Sequence, residues 1–265
     1  MKQKVGNFSS VGIIHRAVCP AHVFIEAKTP GYPRKVFVGK CLLPGGNWVG
    51  KFALDDASPI GTYRREIGEE LSFGNPAVDP NEMSILFGDS HQGFEPKPRD
   101  IVATLEDIAT LKTIVDAISA NARPFGAFFQ HTERRLFDMG DPRNTASSYC
   151  GVVSVFSVPL PDDEWFALLE LQLKYGNLSN ESQSIVTSVW EMTKNSIQTA
   201  WGQDRVLQKF WGDSGFDKEA AGMSLMPYST TKEVDFSNTY DDLLRSFDVE
   251  RVPDGFVRPI ETTTA

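Results

Sequence analysis

The sequence is poor in cysteine and histidine and has no long apolar run. Its three cysteines among 265 residues are too few and too scattered for a disulfide framework, which indicates reduced thiols in a cytosol. No stretch approaches the roughly 20 apolar residues that a membrane-spanning helix needs. The charged pair His15-Arg16 interrupts the early apolar segment, so we do not expect a signal peptide. We therefore expect a cytoplasmic protein without a membrane partner.

An excess of basic residues is also absent. The chain has 26 Lys+Arg against 35 Asp+Glu and a net charge of −9, whereas proteins that bind nucleic acids usually carry a basic face. We therefore expect no nucleic-acid partner. Hydrophobic residues make up 41% and charged residues 23% of the chain, close to an average globular protein, so extensive disorder is not expected.

Two signatures of well-known sites are missing as well. The chain has no G-x-S-x-G motif and its four histidines lie in unrelated contexts, which argues against a serine hydrolase. Cys19 and His22 form a lone C-x-x-H, and no second pair follows at a suitable spacing. This pattern argues against a zinc site, because structural zinc needs four ligands.

Strands and helices are both predicted along the chain. Short runs rich in Val, Ile and Phe predict strands over 11–18, 22–28 and 35–43. Ser58 as N-cap and Pro59 at the first helical position predict a helix that ends near Gly74. This order favours an α/β fold with a mixed sheet between helices. Further strands are predicted over 83–87 and 149–160, and further helices over 105–118, 162–173, 183–194, 199–211 and 240–247.

Three glutamates of the first predicted helix carry the clearest chemical signal. Glu66, Glu69 and Glu70 stand at positions i, i+3 and i+4, so their carboxylates share one helix face. Like charges at this spacing repel each other. A divalent cation such as Mg²⁺, which prefers carboxylate oxygens, would relieve that repulsion. A solvated acidic face is the alternative that these residues alone leave open.

The glutamates belong to a longer motif. Leu43-Pro44-Gly45-Gly46 ends a predicted strand, and Arg65-Glu66-x-x-Glu69-Glu70 lies on the helix that follows. Together they resemble the Nudix box, the signature of Nudix hydrolases, which reads G-x5-E-x7-R-E-U-x-E-E-x-G-U with U a bulky aliphatic residue. The matching residues are Gly46, Arg65, Glu66, Ile67, Glu69 and Glu70, with Phe73 at the last bulky position. A weaker resemblance, to the closing helix of many Nudix domains, lies in 200–207.

The motif departs from the family pattern at three points. The spacing between Gly46 and Arg65 is five residues longer, which indicates an insertion within 47–56. Ala57 stands where the box has its first glutamate, unless Asp55 or Asp56 substitutes for it. Ser72 stands where the box has its second glycine.

The resemblance implies a fold and a set of roles. The fold would be a Nudix-type α/β/α sandwich over 1–211, with an insertion around 88–148 and a C-terminal extension over 212–265. Glu66, Glu69 and Glu70 would bind Mg²⁺ or Mn²⁺, and Arg65 would orient a glutamate of the helix. Gly45 and Gly46 would bring the backbone close to the metal and the substrate. The general base stays open between Glu69 and an acid of the insertion, such as Glu133.

The implied function is divalent-metal-dependent hydrolysis of a nucleoside diphosphate linked to another moiety. The alternative is a Nudix-like nucleotide-binding or regulatory domain without turnover, which Ala57 and the insertion within 47–56 motivate. The expected partner is a nucleotide-type small molecule. A homodimer is left open.

The segment after Gly46 allows two further hypotheses. Gly45-x4-Gly50-Lys51 has the spacing of a P-loop, but Phe52 replaces the Ser or Thr that would hold Mg²⁺, so a P-loop is not favoured. Trp48 and two apolar neighbours form a wall or lid over the substrate, or they fill the edge of the core. The sequence leaves both roles open; the neighbours are Val49 and Phe52.

Overall fold

The computed structural model describes about half of the chain. The described residues are 4–5, 7–27, 41–48, 57–73, 103–133, 148–175, 178, 183–188, 203–213, 229–234, 240–246 and 248–249.

The described residues form ten strands and five helices. The strands are β1 (Lys4–Val5), β2 (Asn7–Arg16), β3 (Cys19–Ala27), β4 (Cys41–Leu42), β5 (Gly45–Asn47), β6 (Arg123–Glu133), β7 (Ser148–Leu160), β8 (Gln183–Ser188), β9 (Ser229–Val234) and β10 (Asp248–Val249). The helices are α1 (Pro59–Glu70), α2 (Leu105–Asn121), α3 (Asp162–Tyr175), α4 (Gln203–Asp213) and α5 (Tyr240–Ser246). Of these helices, none is long and apolar enough to span a membrane.

Strand β2 is at the centre of a mixed sheet. It runs parallel to β7 over its whole length and antiparallel to β3 near its C-terminal end. Near its N-terminal end it pairs antiparallel with β5, where Ser10 lies opposite Gly46. The sheet order is β4-β3-β2-β7-β6-β9, with β8 added to β3, while β1 and β10 form a separate parallel pair. Helices together with a mixed sheet confirm the predicted α/β class.

Successive residues of the central strands pack against helices on opposite faces of the sheet. On one face, Ile14 of β2 and Phe156 of β7 share a buried cluster with side chains of α1, α2 and α3. On the other face, Val11 and Val155 share a second cluster with side chains of α4. A third cluster, which we call the C-terminal cluster, contains α5 side chains; its members are Phe8, Trp48, Ala127, Phe129, Val152, Tyr240 and Leu243.

Helix α1 begins where the sequence predicts. The Ser58 hydroxyl accepts a hydrogen bond from the Gly61 N–H at 3.3 Å, and Pro59 occupies the first turn. The helix ends at Glu70, and the Ser72 hydroxyl donates to the carbonyl of Glu69 at 3.2 Å. Ser72 therefore satisfies a carbonyl group of the last turn, which no intrahelical partner reaches. The predicted stop, Gly74, lies outside the described residues.

One predicted helix is wrong. The segment 183–188, expected to begin a helix over 183–194, is strand β8, and every residue of it pairs with β3. Ile185, Val186 and Thr187 are β-branched, which favours a strand. The open edge of β3 supplies the hydrogen-bonding partners, and a reading of local pattern alone cannot include them. Of the strand predicted over 35–43, Cys41–Leu42 is present as β4, while 35–40 and the strand predicted over 83–87 lie outside the described residues.

Two segments predicted as additions supply parts of this sheet and core. The segment 88–148, expected to hold an insertion, contains α2 and β6, and β6 pairs with β7 over ten residue pairs. The predicted C-terminal extension contains β9, α5 and β10. Of these, β9 pairs with β6, and α5 places Tyr240 and Leu243 in the C-terminal cluster.

Candidate functional site

The predicted glutamates meet the predicted glycines where α1 crosses β5. The carboxylate Oε2 of Glu70 accepts a hydrogen bond from the Gly45 N–H at 2.8 Å. The carboxylate of Glu66 lies directly against Gly46, so that a methyl group at Gly46 would overlap with it. Gly45 has φ = 135°, and a side chain there would also overlap with the carbonyl of Ser10. Gly45 therefore requires glycine, since only glycine adopts this φ readily and lacks a Cβ, whereas a Cβ at Gly46 would have to displace the end of the Glu66 side chain.

Arg65 pairs with two glutamates of its own helix and also binds the backbone of β5. Its side chain is only 5% exposed, and its guanidinium lies 2.8 Å from Glu66 Oε1 and 3.0 Å from Glu69 Oε2. Nη2 also donates to the carbonyl of Asn47 at 2.7 Å. A planar guanidinium can make all three contacts at once because its five N–H groups point in fixed directions. Arg65 therefore orients two of the glutamates and fixes the end of β5 at the same time.

The carboxylate oxygens of this cluster suit a hard divalent cation, but in this structure they contact Arg65 and the Gly45 N–H. Glu66 and Glu69 keep 14% and 18% side-chain exposure, so solvent reaches them. Within the described residues, no group of three or more His, Cys, Asp and Glu side chains could hold a metal ion as placed. The contacts explain this, because Arg65 pairs with two carboxylates and the Gly45 N–H binds the third. A cation would have to compete with Arg65 for its ligands.

Tyr63 adds a buried hydroxyl to this region, one helical turn before Glu66 and two before Glu70. Its ring stacks on Phe156 at 5.4 Å, and the hydroxyl lies against Gly12 of β2, leaving no room there for a side chain. Among the described residues this hydroxyl finds no hydrogen-bond partner. Burial, followed by the nearby charge of Glu70, raises the pKa of Tyr63 well above its ordinary value. The phenol is therefore neutral throughout the physiological range.

Trp48 lies in the core. It is 1% exposed, stacks on Tyr240 with ring centroids 4.4 Å apart, and contacts the edge of Phe8 at 6.0 Å. Of the two roles that the sequence left open for Trp48, this position agrees with filling the edge of the core. Contact with a substrate stays a prediction. Its two apolar neighbours in the predicted lid, Val49 and Phe52, lie outside the described residues.

The structure thus gathers most of the predicted site residues at one place. The residues in mutual contact are Gly45, Gly46, Arg65, Glu66, Glu69 and Glu70. Ala57, at the position of the missing box glutamate, is exposed just before α1. The candidate base Glu133 is the last residue of β6, and the acids Asp55 and Asp56 lie outside the described residues.

Three contributors to the site were missed from the sequence. Asn47 contributes its backbone carbonyl, which any residue carries, so no side-chain pattern could have shown it. Tyr63 shares one helix face at steps of three and four with Ile60, Ile67 and Leu71, so periodicity marks it only as a core residue, although its hydroxyl separates it from Ile and Leu. Tyr240, discussed below, is distant in sequence from every motif residue. Comparison with known proteins adds nothing further: no protein-family model and no curated protein matches the chain.

Proposed function

We propose that this protein is a divalent-metal-dependent hydrolase, with a Nudix-type α/β/α sandwich, that acts on a nucleoside diphosphate linked to another moiety. The observation that supports this most is the contact between the glutamate face of α1 and the glycines of β5. Glu70 binds the backbone of Gly45, and Glu66 lies against Gly46. The two halves of the sequence motif, which 18 intervening residues separate, therefore meet through the residues that the motif names.

The proposal assigns a role to each residue of the cluster. Glu66, Glu69 and Glu70 would hold Mg²⁺ or Mn²⁺, which supplies positive charge for a diphosphate and a water of lowered pKa. Arg65 orients Glu66 and Glu69 through its two ion pairs. Glu69 is also a candidate general base, since its carboxylate keeps 18% exposure. Gly45 and Gly46 keep the backbone close to the carboxylates, because neither position has a side chain in between.

A second function, nucleotide binding without turnover, has its own supporting observation. Arg65 pairs with two of the three carboxylates, and the described residues contain no ready metal-binding group. Ala57, moreover, cannot act as the ligand or base that a glutamate would supply. A protein with these features could still bind a nucleotide beside β5 and report its presence to a partner.

One experiment separates the two functions. Purified protein is incubated with a panel of dinucleotides, nucleotide sugars and nucleoside triphosphates, with Mg²⁺, Mn²⁺ or EDTA, and product release is measured. For the hydrolase, we expect turnover of at least one diphosphate-linked substrate, and none in EDTA. Nucleotide binding without any product in every metal condition would contradict the hydrolase and support the binding domain.

The variant Glu70→Gln tests the assigned ligands. Glutamine keeps an oxygen that can accept the Gly45 N–H, so we expect the fold to persist. It removes one charge that a cation needs, so turnover should fall by roughly two orders of magnitude or more. The rise in melting temperature with metal plus nucleotide should disappear as well.

A matched control is available on another helix. Glu170 of α3 is exposed and lies outside the cluster, so Glu170→Gln removes the same charge from the protein without touching β5. It should leave both turnover and the metal-dependent shift unchanged. If Glu70→Gln behaves like this control, the carboxylate face is only a solvated acidic surface.

A further inference from the structure

Helix α5 lies close to the candidate site although it comes 170 residues after α1 in the chain. Its first residue, Tyr240, is 1% exposed, and Leu243 is 2% exposed. Both belong to the C-terminal cluster together with Trp48 and Phe8. Trp48 directly follows β5, and Phe8 lies on β2, which pairs with β5. The C-terminal part of the described chain therefore packs against the strand that carries the glycines.

The ring of Tyr240 holds the residue that follows β5. It stacks on Trp48 with centroids 4.4 Å apart and an interplanar angle of 18°. The backbone N–H of Trp48 also donates a hydrogen bond of 2.9 Å to the Phe8 carbonyl. Stacked aromatic pairs contribute stability beyond the area that they bury. Trp48 is therefore held by β2 through its backbone and by α5 through its ring, which fixes the end of β5.

The hydroxyl of Tyr240 reaches the glutamate helix. It lies 2.5 Å from the Thr62 hydroxyl and 3.5 Å from that of Ser10. Thr62 is fully buried in the first half of α1, one turn before Glu66. Ser10 pairs with Gly46 in the sheet. The Tyr240 side chain thus contacts the helix that carries the carboxylates, strand β2, and the residue that follows β5.

We infer that Tyr240 is a positioning residue, which fixes the distance between β5 and α1 and so keeps the Gly45–Glu70 hydrogen bond formed. The hydroxyl anchors α1 through Thr62, while the ring anchors β5 through Trp48. Further links between the two elements at the site include the Arg65 bond to the Asn47 carbonyl and the Glu70 bond to the Gly45 N–H. The effect of Tyr240 on turnover rests on the proposed function, whereas its effect on the Gly45–Glu70 bond does not.

Amide hydrogen exchange of the full chain tests this inference directly. The Gly45 N–H donates to Glu70, so its exchange rate reports how often that bond opens. Tyr240→Phe removes only the hydroxyl and keeps the stack on Trp48. Since a hydrogen bond is worth a modest net free energy, we expect Gly45 to exchange about two- to tenfold faster. Tyr240→Leu also removes the stack and should increase the rate further.

An internal reference separates a local effect from lower overall stability. Val155 lies in the central strand β7, so its amide reports global opening. In Tyr240→Phe, exchange at Gly45 should rise more than exchange at Val155. Leu207→Ala removes a fully buried side chain on the opposite face of the sheet. It should not increase the exchange rate of the Gly45 amide relative to that of the Val155 amide. The inference is overturned if, in both Tyr240 variants, the exchange rate of the Gly45 amide increases by no larger a factor than that of the Val155 amide.

Failure of the proposed function would be recognised separately. If the wild-type protein hydrolyses a substrate of the panel, Tyr240→Phe should lower kcat several-fold with little change in KM, because the catalytic geometry loosens while the surface offered to substrate persists. An unchanged kcat would contradict a positioning role in catalysis. If the wild-type protein hydrolyses nothing, the hydrolase proposal fails, and the exchange comparison alone decides the role of Tyr240.

Discussion

Replacing Arg65 by methionine tests how much the ion pairs of Arg65 with Glu66 and Glu69 contribute to the stability of the fold. Methionine keeps an unbranched, flexible stem of similar reach but removes the guanidinium. Glu66 and Glu69 would lose their ion pairs at 2.8 and 3.0 Å, and the Asn47 carbonyl would lose its donor. Two carboxylates of one helix face would then repel each other in a partly buried setting.

The magnitude follows from the burial of these groups. Removing one partner of a buried ion pair costs about 3–5 kcal/mol. Glu66 and Glu69 keep 14% and 18% exposure, which lets water solvate part of the charge, so the low end of about 3 kcal/mol applies. For a domain of this size, each kcal/mol lowers the melting temperature by about 2–4 °C. Arg65→Met should therefore melt roughly 6–12 °C below the wild-type protein.

The assay is thermal unfolding in EDTA at pH 7, with Arg64→Met as the matched control. Arg64 is the neighbouring residue on α1, but it is exposed, and within the described part of the chain it donates one hydrogen bond of 3.3 Å, to the Ser119 carbonyl. Its replacement should change the free energy of unfolding by about 0.5 kcal/mol or less. Equal melting temperatures of both variants at pH 7 would refute the assignment of Arg65.

Two further predictions concern β5 and β2. Gly45→Ala should destabilise the fold by about 1–3 kcal/mol, because the φ of 135° disfavours a side chain and the backbone of Ser10 occupies its place. Gly46→Ala should displace only the flexible Glu66 carboxylate. It should leave the melting temperature nearly unchanged and reduce the rise in melting temperature that metal plus nucleotide causes. Burial lowers the pKa of His15 below 6.5, so the folded state binds fewer protons than the unfolded state. Stability should therefore fall as the pH drops below about 6.5, and unfolding curves should show a weaker decline in His15→Gln.

Local signals predicted the elements that build the site. Ser58 and Pro59 fix the start of α1, and the spacing of Glu66, Glu69 and Glu70 places their carboxylates on one face wherever the helix packs. The helix predicted over 240–247 is also present as α5, Tyr240–Ser246. In each case the decisive information lies within a few residues of the element itself.

Long-range contacts account for what the sequence could not predict. A helix pattern over 183–194 gave no sign of the β3 edge that turns 183–188 into a strand. In the same way, nothing near Tyr240 indicates that its hydroxyl meets Thr62 and Ser10, the latter 230 residues away. Such contacts depend on the folding of the whole sheet, and local periodicity carries no information about them.

The missing box glutamate and the position of Arg65 have a joint consequence for metal binding. The cluster holds three carboxylates and one guanidinium, and Ala57 supplies no fourth negative charge. Arg65 pairs with both Glu66 and Glu69, and a cation that takes either carboxylate as a ligand must weaken that pair to bind. Diphosphate oxygens of a nucleotide can supply the ligands that the protein lacks, since Mg²⁺ is commonly held by one or two carboxylates together with substrate phosphates. Under the proposed function, metal and nucleotide must therefore bind together: either one alone should shift the melting temperature little, and a large shift with metal alone would show that Arg65 does not compete for the site.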